Sequence, residues 1–129
     1  IEFALPDENT KVNFEKVSRR THLDIASVNS AVCITLEKSG GDAVIREIGL
    51  SAWGVAPVPF FLQEAAGYCR GRALTADTVR EAVKLAGGEV SPISDVRGSA
   101  EYKRLLLRQL LFAHFIKLFP ENFAGGELL

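Results

Sequence analysis

The sequence SPISDVRGSAEYKRLL, residues 91–106, decides the fold because it forms a turn that opens onto the longest apolar helix of the chain. Gly98 permits a sharp entry into that helix, since glycine adopts backbone angles closed to other residues. Ser99 is a good N-cap, whose hydroxyl accepts a free amide of the first helical turn. No helix breaker follows until Pro120, so the pattern predicts a helix over residues 99–119.

The predicted helix is apolar almost all round beyond Leu105, and its polar stripe along Glu101, Arg104 and Arg108 is narrow. A helix of this kind is covered on more than one side in the folded protein. A domain of this size offers one sheet as cover. We therefore expect a contiguous apolar strip of the helix to meet another domain or subunit.

The composition is that of an ordinary globular domain, with 129 residues, 47% apolar and 24% charged. This length fits one domain with a core of its own. The net charge of −1 argues against nucleic-acid and membrane partners, which both favour a basic surplus. No apolar run approaches the ~20 residues that span a bilayer, and no signal peptide is visible.

The cysteine and methionine content indicates in which cellular compartment the protein resides and whether the sequence is part of a longer polypeptide. Cys33 and Cys69 lie far apart and outside any Cys-x-x-Cys motif, which favours reduced thiols in a cytoplasmic protein. The sequence contains no methionine. We therefore expect it to be part of a longer polypeptide.

Two stretches are predicted to form an antiparallel hairpin. Residues 26–37 and 43–53 both alternate, with the larger apolar side chains on one face, which is the period of a half-buried strand. Gly40 and Gly41 between them can adopt the positive φ of a tight turn. The pair is not a phosphate loop, because no Lys-Ser/Thr follows it and it joins two strands.

The first residues are predicted to connect this domain, which spans residues 14–129, to a preceding one. Residues 1–13 contain Pro6 and a polar run, which indicates a linker from a preceding domain. Residues 11–17 fit either a short strand or one helical turn.

Two further helices are predicted between the hairpin and residue 91. Pro59 suits the first turn of a helix that Gly71 ends. Thr75 or Asp77 caps the next helix, and the pair at 87–88, two glycines, is expected to end it.

No motif in the sequence forms a recognisable active site. His114 lies in the apolar helix, where a buried histidine is commoner than a ligand. No set of His, Cys and carboxylate residues has metal-ligand spacing, and no serine has the Gly-x-Ser-x-Gly context. The residues alone therefore indicate an α+β domain without catalytic machinery of its own.

A basic cluster follows the predicted linker. Lys16, Arg19, Arg20 and His22 form either a solvated loop or an anion contact made through the arginine forks. Asp24 is close enough to pair with either arginine, which would weaken an anion site.

Three motifs together carry a resemblance to a known family. They are FEKVSRR at 14–20 with DIASVNSA at 24–31, GVAP at 54–57, and SPISDVRGSAEYKR at 91–104. In this order they resemble the C-terminal domain of the FAD-binding subunit of molybdenum hydroxylases, the family of the xanthine dehydrogenase and carbon monoxide dehydrogenase medium subunits. The resemblance implies a three- to four-stranded antiparallel sheet with about three helices packed on one face, which agrees with the α+β pattern.

The resemblance also implies a role in electron transfer. In such enzymes a molybdopterin-bound molybdenum hydroxylates the substrate, and electrons pass through iron–sulfur clusters to FAD and then to NAD or oxygen. The chain would be the third lobe of the flavoprotein part of a xanthine-dehydrogenase-like oxidoreductase. Residues 1–13 would then be the linker from an upstream FAD-binding domain. Iron–sulfur and molybdenum subunits or domains would be its partners. The alternative is a non-catalytic interaction or dimerisation module that uses the apolar helix 99–119.

The resemblance names candidate cofactor-binding residues. The basic segment after the linker lies near the flavin edge in this family, and the matching positions are Lys16, Arg19 and Arg20. A cation there can hold an anionic flavin or the phosphates of a nicotinamide nucleotide. Lys16 is the first candidate.

Other matched positions are interpreted as structural. Asp95 would form a turn, Arg97 would make a pair and Tyr102 would pack. The sequence departs from the family at Trp53, where glycine is common. A tryptophan beside the aromatic pair at 60–61 favours a place in the core, and the alternative is that it covers an interface.

Overall fold

One antiparallel sheet and three helices make up the fold. The computed structural model describes residues 2, 4–21, 24–123, 126 and 128. The elements in chain order are β1 Thr10–Val17, β2 Val28–Ser39, β3 Asp42–Trp53, β4 Phe60–Phe61, α1 Gln63–Cys69, α2 Ala76–Glu89 and α3 Ala100–Leu118. The strand order is β1–β2–β3–β4. α3 packs on β1 and β2, α1 packs on β3, and α2 packs on both helices, which confirms the predicted α+β fold.

The predicted hairpin is β2 and β3. Its turn carries Gly40 at φ +62° and Gly41 at φ +92°, as the sequence predicts. The strand register shifts between Thr35 and Leu36, and the extra residue of this bulge is Arg46 on β3. Thr35 is buried. Its hydroxyl lies 2.8 Å from that of Thr10 on β1, so the buried hydroxyl is paired.

Residues 11–17, which fitted either a strand or a helical turn, belong to strand β1. The pairing with β2 runs from Thr10 opposite Thr35 to Val17 opposite Val28. The strand therefore begins inside the segment 1–13 that was predicted as a linker.

A helix was predicted to begin at Pro59, and this predicted start is wrong. Phe60 and Phe61 form the short edge strand β4 beside β3, and the Leu62 amide donates to the Leu50 carbonyl at 2.9 Å. α1 consequently begins at Gln63. The aromatic spacing could not reveal this, because edge-strand pairing is a contact with a distant segment.

The prediction that Gly87 and Gly88 end the second helix is also wrong, since α2 continues to Glu89. The Glu89 carboxylate accepts the amides of Glu64 and Ala65 at 3.0 and 2.8 Å. These amides are unpaired donors at the start of α1, which has no N-cap side chain of its own. The last turn of α2 therefore supplies the side chain that caps the start of α1.

The two long helices begin at predicted caps. The Thr75 hydroxyl accepts the amide of Thr78 at 3.3 Å, and the Ser99 hydroxyl accepts the amide of Tyr102 at 3.1 Å. Within the described ranges, no helix is both long and apolar enough to cross a membrane.

The expected contiguous apolar strip on α3 is not found. Its large apolar side chains are buried against the sheet and α2, and buried Phe119, Phe123 and Leu128 add cover beyond the helix. In the described part of α3, Tyr102 and Leu105 are the large apolar side chains that stay about half exposed. The chain covers its own helix, so the dimerisation hypothesis loses the surface on which it rested.

His114 is buried at the centre of a polar network between α3 and the sheet, as the sequence predicts for a histidine on an apolar helix. Its Nδ1 lies 2.9 Å from the side-chain nitrogen of Asn13 and its Nε2 lies 2.8 Å from the hydroxyl of Ser30. Because the Asn13 nitrogen only donates, Nδ1 accepts and the ring proton is on Nε2. Burial lowers the pKa of His114 to about 4.

We expect this histidine to make the domain acid-sensitive. Its pKa is about 6.5 in the unfolded chain and about 4 when folded, so only the unfolded state takes up the proton between these values. Stability is complete above pH 6.5 and falls by up to about 3 kcal/mol as the pH drops towards 4. Urea unfolding across this range should show the loss in the wild type and a flatter profile in His114→Gln. Identical slopes in the two proteins would contradict the assignment.

Candidate functional site

The three motifs meet at one end of the sheet, where β1 and β3 end and β2 begins. We call residues 18–21, 24–27, 53–57 and 91–98 the motif end. Across the strands, Val17 lies opposite Val28 and the next residue of β2 lies opposite Trp53. The buried Ser27 hydroxyl donates to the Arg97 carbonyl at 3.2 Å, which ties the loop after β1 to the turn before α3.

Gly54 allows the chain leaving β3 to touch the loop after β1. Its φ is +86°, and a Cβ there would lie 2.3 Å from the Ser27 carbonyl oxygen. Any side chain would therefore push the two segments apart.

An ion pair between a buried lysine and an accessible aspartate holds the turn before α3. The Lys103 ammonium is 2.7 Å from an Asp95 oxygen and donates to the Ile93 carbonyl at 2.8 Å, while Lys103 itself is only 2% exposed. The Arg97 amide donates to the other Asp95 oxygen at 2.8 Å. The hydrogen bond from Lys103 holds the pKa of Asp95 below its usual range. The predicted turn role of Asp95 is confirmed, whereas the part played by Lys103 was missed.

A cleft of about 250 Å³ opens between these segments. The Arg97 guanidinium lies 5.5 Å from the centre of the Trp53 ring, so the expected partner of Arg97 is an aromatic face rather than a carboxylate. Trp53 is partly exposed on this wall, and its predicted place in the core is wrong. A Cβ on Gly98 would lie 2.7 Å from the Tyr102 ring, which confirms that Tyr102 packs on the turn.

The two candidate arginines lie at the motif end. Arg19 and Arg20 line a shallow cavity together with Arg97. The Asp24 carboxylate accepts the backbone amide of Arg20 at 3.0 Å. Within the described residues, no carboxylate lies within ion-pair distance of the guanidinium of Arg19 or Arg20. His22, which the sequence groups with them, lies outside the described residues.

Lys16 lies apart from the arginines, near the end of β1 on the sheet face opposite the helices. It is exposed and sits opposite Asn29, which is itself opposite Trp53. Phe14 shares this face and is 58% exposed. The structure therefore separates the candidate cations into an arginine group at the loop and one lysine on an apolar sheet face. The alternation of β1 could have revealed Phe14, had residues 11–17 been assigned as a strand.

The motif end offers positive charge and an aromatic wall rather than a metal site. Among the described residues, no group of three His, Cys, Asp or Glu side chains is placed to hold a metal ion. Arginine forks suit phosphate and carboxylate groups, which they contact through two parallel hydrogen bonds. The chemistry that this region supports is the binding of an anionic, partly aromatic group.

Comparisons with known proteins agree on one family. The family model of the CO dehydrogenase flavoprotein C-terminal domain matches residues 13–118. The carbon monoxide dehydrogenase medium chain of Afipia carboxidovorans is 36% identical over 103 residues, which cover 80% of this chain and 34% of that one. The glyceraldehyde dehydrogenase medium chain of Sulfolobus acidocaldarius is 31% identical over 105 residues, covering 81% and 36%.

A solved structure shares the fold. Carbon monoxide dehydrogenase from Hydrogenophaga pseudoflava, in a form that lacks the Mo-pyranopterin moiety of the molybdenum cofactor, superposes with a TM-score of 0.71 at 30% identity. The superposition covers 81% of this chain and 35% of that one. The chain thus spans about a third of the length of the proteins it matches.

Proposed function

The chain belongs to the CO dehydrogenase flavoprotein C-terminal domain family, and we propose that it completes the flavin site in the FAD subunit of a molybdenum hydroxylase. The observation that carries this proposal is the family match over residues 13–118, which spans all three motifs. These motifs meet in space at the motif end, although they are far apart in the sequence. Such convergence is expected when they serve one site.

The relatives support the proposed enzyme class. Both are medium chains of dehydrogenases, named for carbon monoxide and for glyceraldehyde, so the substrate differs between proteins that share this domain. We place the chain in a cytoplasmic oxidoreductase in which iron–sulfur and molybdenum subunits or domains deliver electrons to FAD. NAD or oxygen would then accept them. Xanthine-dehydrogenase-like activity is the narrower form of this proposal.

The candidate residues fit an anionic cofactor. FAD supplies the redox chemistry when it is bound, and an upstream domain would hold most of it. Arg19 and Arg20 present guanidinium groups that no described carboxylate neutralises, which suits contact with phosphate oxygens. Lys16 lies on an apolar face near Trp53, where an ammonium can balance the charge of an anionic flavin. The proposed role of this chain is to bind and orient, rather than to react.

Replacing Lys16 tests this site. In the natural full-length flavoprotein, Lys16→Ala should weaken FAD retention about tenfold, because one charge-assisted contact is worth roughly 1.5 kcal/mol. The measurement is the FAD content after dialysis, with the dissociation constant from flavin fluorescence. Stability should stay unchanged, since Lys16 is exposed.

Lys38→Ala is the matched control for Lys16→Ala. Lys38 is also an exposed strand lysine, but it lies at the turn between β2 and β3, at the other end of the sheet. FAD retention should be unchanged in this variant. Equal FAD retention in wild type and Lys16→Ala would remove Lys16 from the site.

A further inference from the structure

A groove runs between α2 and α3, and none of its lining residues belongs to the motif end. Its volume is about 520 Å³, and four cationic side chains line it. They are Arg80 and Lys84 on α2 and Arg104 and Arg108 on α3. We call it the α2–α3 groove. Four cations are a local concentration of positive charge on a chain whose net charge is −1.

The two arginines of α3 are held in place without being neutralised. Arg104 donates to the Val90 carbonyl at 3.2 Å, and the Arg108 guanidinium lies 5.5 Å from the centre of the Phe112 ring. In the part of the chain that the structure describes, no carboxylate lies within ion-pair distance of either group. Both charges are therefore held in place and remain available to an anionic group.

The two cations of α2 are paired on their own helix. Arg80 lies 3.1 Å from Asp77, and Lys84 lies 3.4 Å from Glu81, both as exposed pairs three residues apart. The positive charge that no described carboxylate pairs with is therefore that of the two arginines of α3.

The lining of the groove also includes one large apolar side chain that is half exposed. Leu105 is 49% exposed, and it lies between the two arginines along α3. Gly87 lines the opposite side within α2, although glycine weakens a helix interior relative to alanine. Among the described residues, no atom outside its own stretch of α2 lies within 4 Å of where its Cβ would be, so packing against these residues does not explain the glycine. Its effect is to leave the helix backbone open to close approach.

We propose that the α2–α3 groove docks an acidic amphipathic helix of a partner protein. The apolar stripe of that helix would cover Leu105 and approach Gly87, and its carboxylates would contact Arg104 and Arg108. Helices commonly dock in this way, with their apolar side in a groove between two others. A nucleic acid or an anionic membrane fits less well, because both favour a basic surplus over the whole domain. This site goes beyond the proposed flavin role.

The test uses the 129-residue chain and a synthetic amphipathic helix of about four turns, with leucine on one face and glutamate on the other. Titration followed by ¹H–¹⁵N NMR should shift the resonances of Gly87, Leu105 and Arg108. The double variant Arg104→Glu/Arg108→Glu should weaken this binding at least about tenfold. Raising the salt to about 0.15 M should weaken it as well.

Matched probes distinguish the outcomes. Lys38→Glu/Arg46→Glu reverses two charges away from the groove and should bind the peptide as the wild type does. A peptide with lysine in place of glutamate should not bind. No shifts at the groove with the acidic peptide would overturn the proposal. Equal shifts with inorganic phosphate alone would overturn it too, because the groove would then be a simple anion site.

Discussion

Replacing Gly54 with alanine is expected to lower the free energy of unfolding by about 3 kcal/mol or more. The added Cβ would lie 2.3 Å from the Ser27 carbonyl oxygen, a backbone atom that cannot turn away. Overpacking of this kind costs about 1–3 kcal/mol, and the positive φ of +86° adds about 1–2 kcal/mol for a residue with a side chain. Urea unfolding of the two proteins measures the difference.

Gly71→Ala is the matched control, because it carries the same backbone strain without the contact. Its φ is +75°, and among the described residues no atom beyond its chain neighbours lies within 4 Å of its Cβ position. We expect a loss of about 1 kcal/mol in this variant. The remainder of the Gly54 effect then measures the contact between the end of β3 and the loop after β1. Equal losses in the two variants would show that this contact does not hold the motif end together.

The Lys103→Met variant is expected to lose about 3 kcal/mol of stability. Lys103 is 2% exposed, and its ammonium binds the Asp95 carboxylate and the Ile93 carbonyl. Methionine keeps the apolar stem but removes the charge, which leaves both oxygens without this donor. An acceptor left without its donor typically costs about 1–3 kcal/mol, and we take the upper figure because the buried ammonium serves two acceptors, although water can reach Asp95, whose side chain is 31% exposed.

The control for this variant is Lys84→Met, which removes an exposed lysine that is 3.4 Å from Glu81. Such pairs contribute less than about 1 kcal/mol. Acid provides a second check, since the folded pKa of Asp95 is lowered. The stabilisation from its pair is complete above the ordinary aspartate pKa and is lost as the pH falls through the lowered value. Lys103→Met should lack this component, and a wild-type-like acid profile in it would contradict the pairing.

Local signals in the sequence predicted a large part of the fold. The glycines at 40–41 and the alternation around them indicated the hairpin. Ser99 was identified as a cap by residue type, and Thr75 was one of two candidates for the cap of α2. Each of these features depends on residues close together in the chain. The burial of Thr35 was not predicted, because the hydroxyl that pairs with the Thr35 hydroxyl belongs to Thr10 on another strand.

The errors have the same physical origin. The start of α1 is set by pairing of β4 with β3. The last turn of α2 carries Glu89, whose carboxylate accepts the Glu64 amide of α1 from 25 positions along the chain. The prediction of an uncovered strip on α3 did not take into account that Phe119 and Phe123 fold back and are buried with the core. Contacts between distant segments override local preference in each case.

The candidate site was named by resemblance rather than by pattern. Composition and spacing left Lys16, Arg19 and Arg20 open between a solvated loop and an anion contact. The structure adds that the arginines line a cavity with Arg97, while Lys16 lies on the sheet face. The Lys103 pair had no local signal, because a lysine on a helix is usually exposed.

The most direct test of the flavin role is the visible absorption spectrum of the natural full-length polypeptide, followed by release of the cofactor on heating and its identification. Our account predicts flavin absorption and the release of FAD. It also predicts that FAD added to the stripped protein restores the spectrum. A colourless polypeptide that does not take up FAD would contradict the proposal that this domain completes a flavin site.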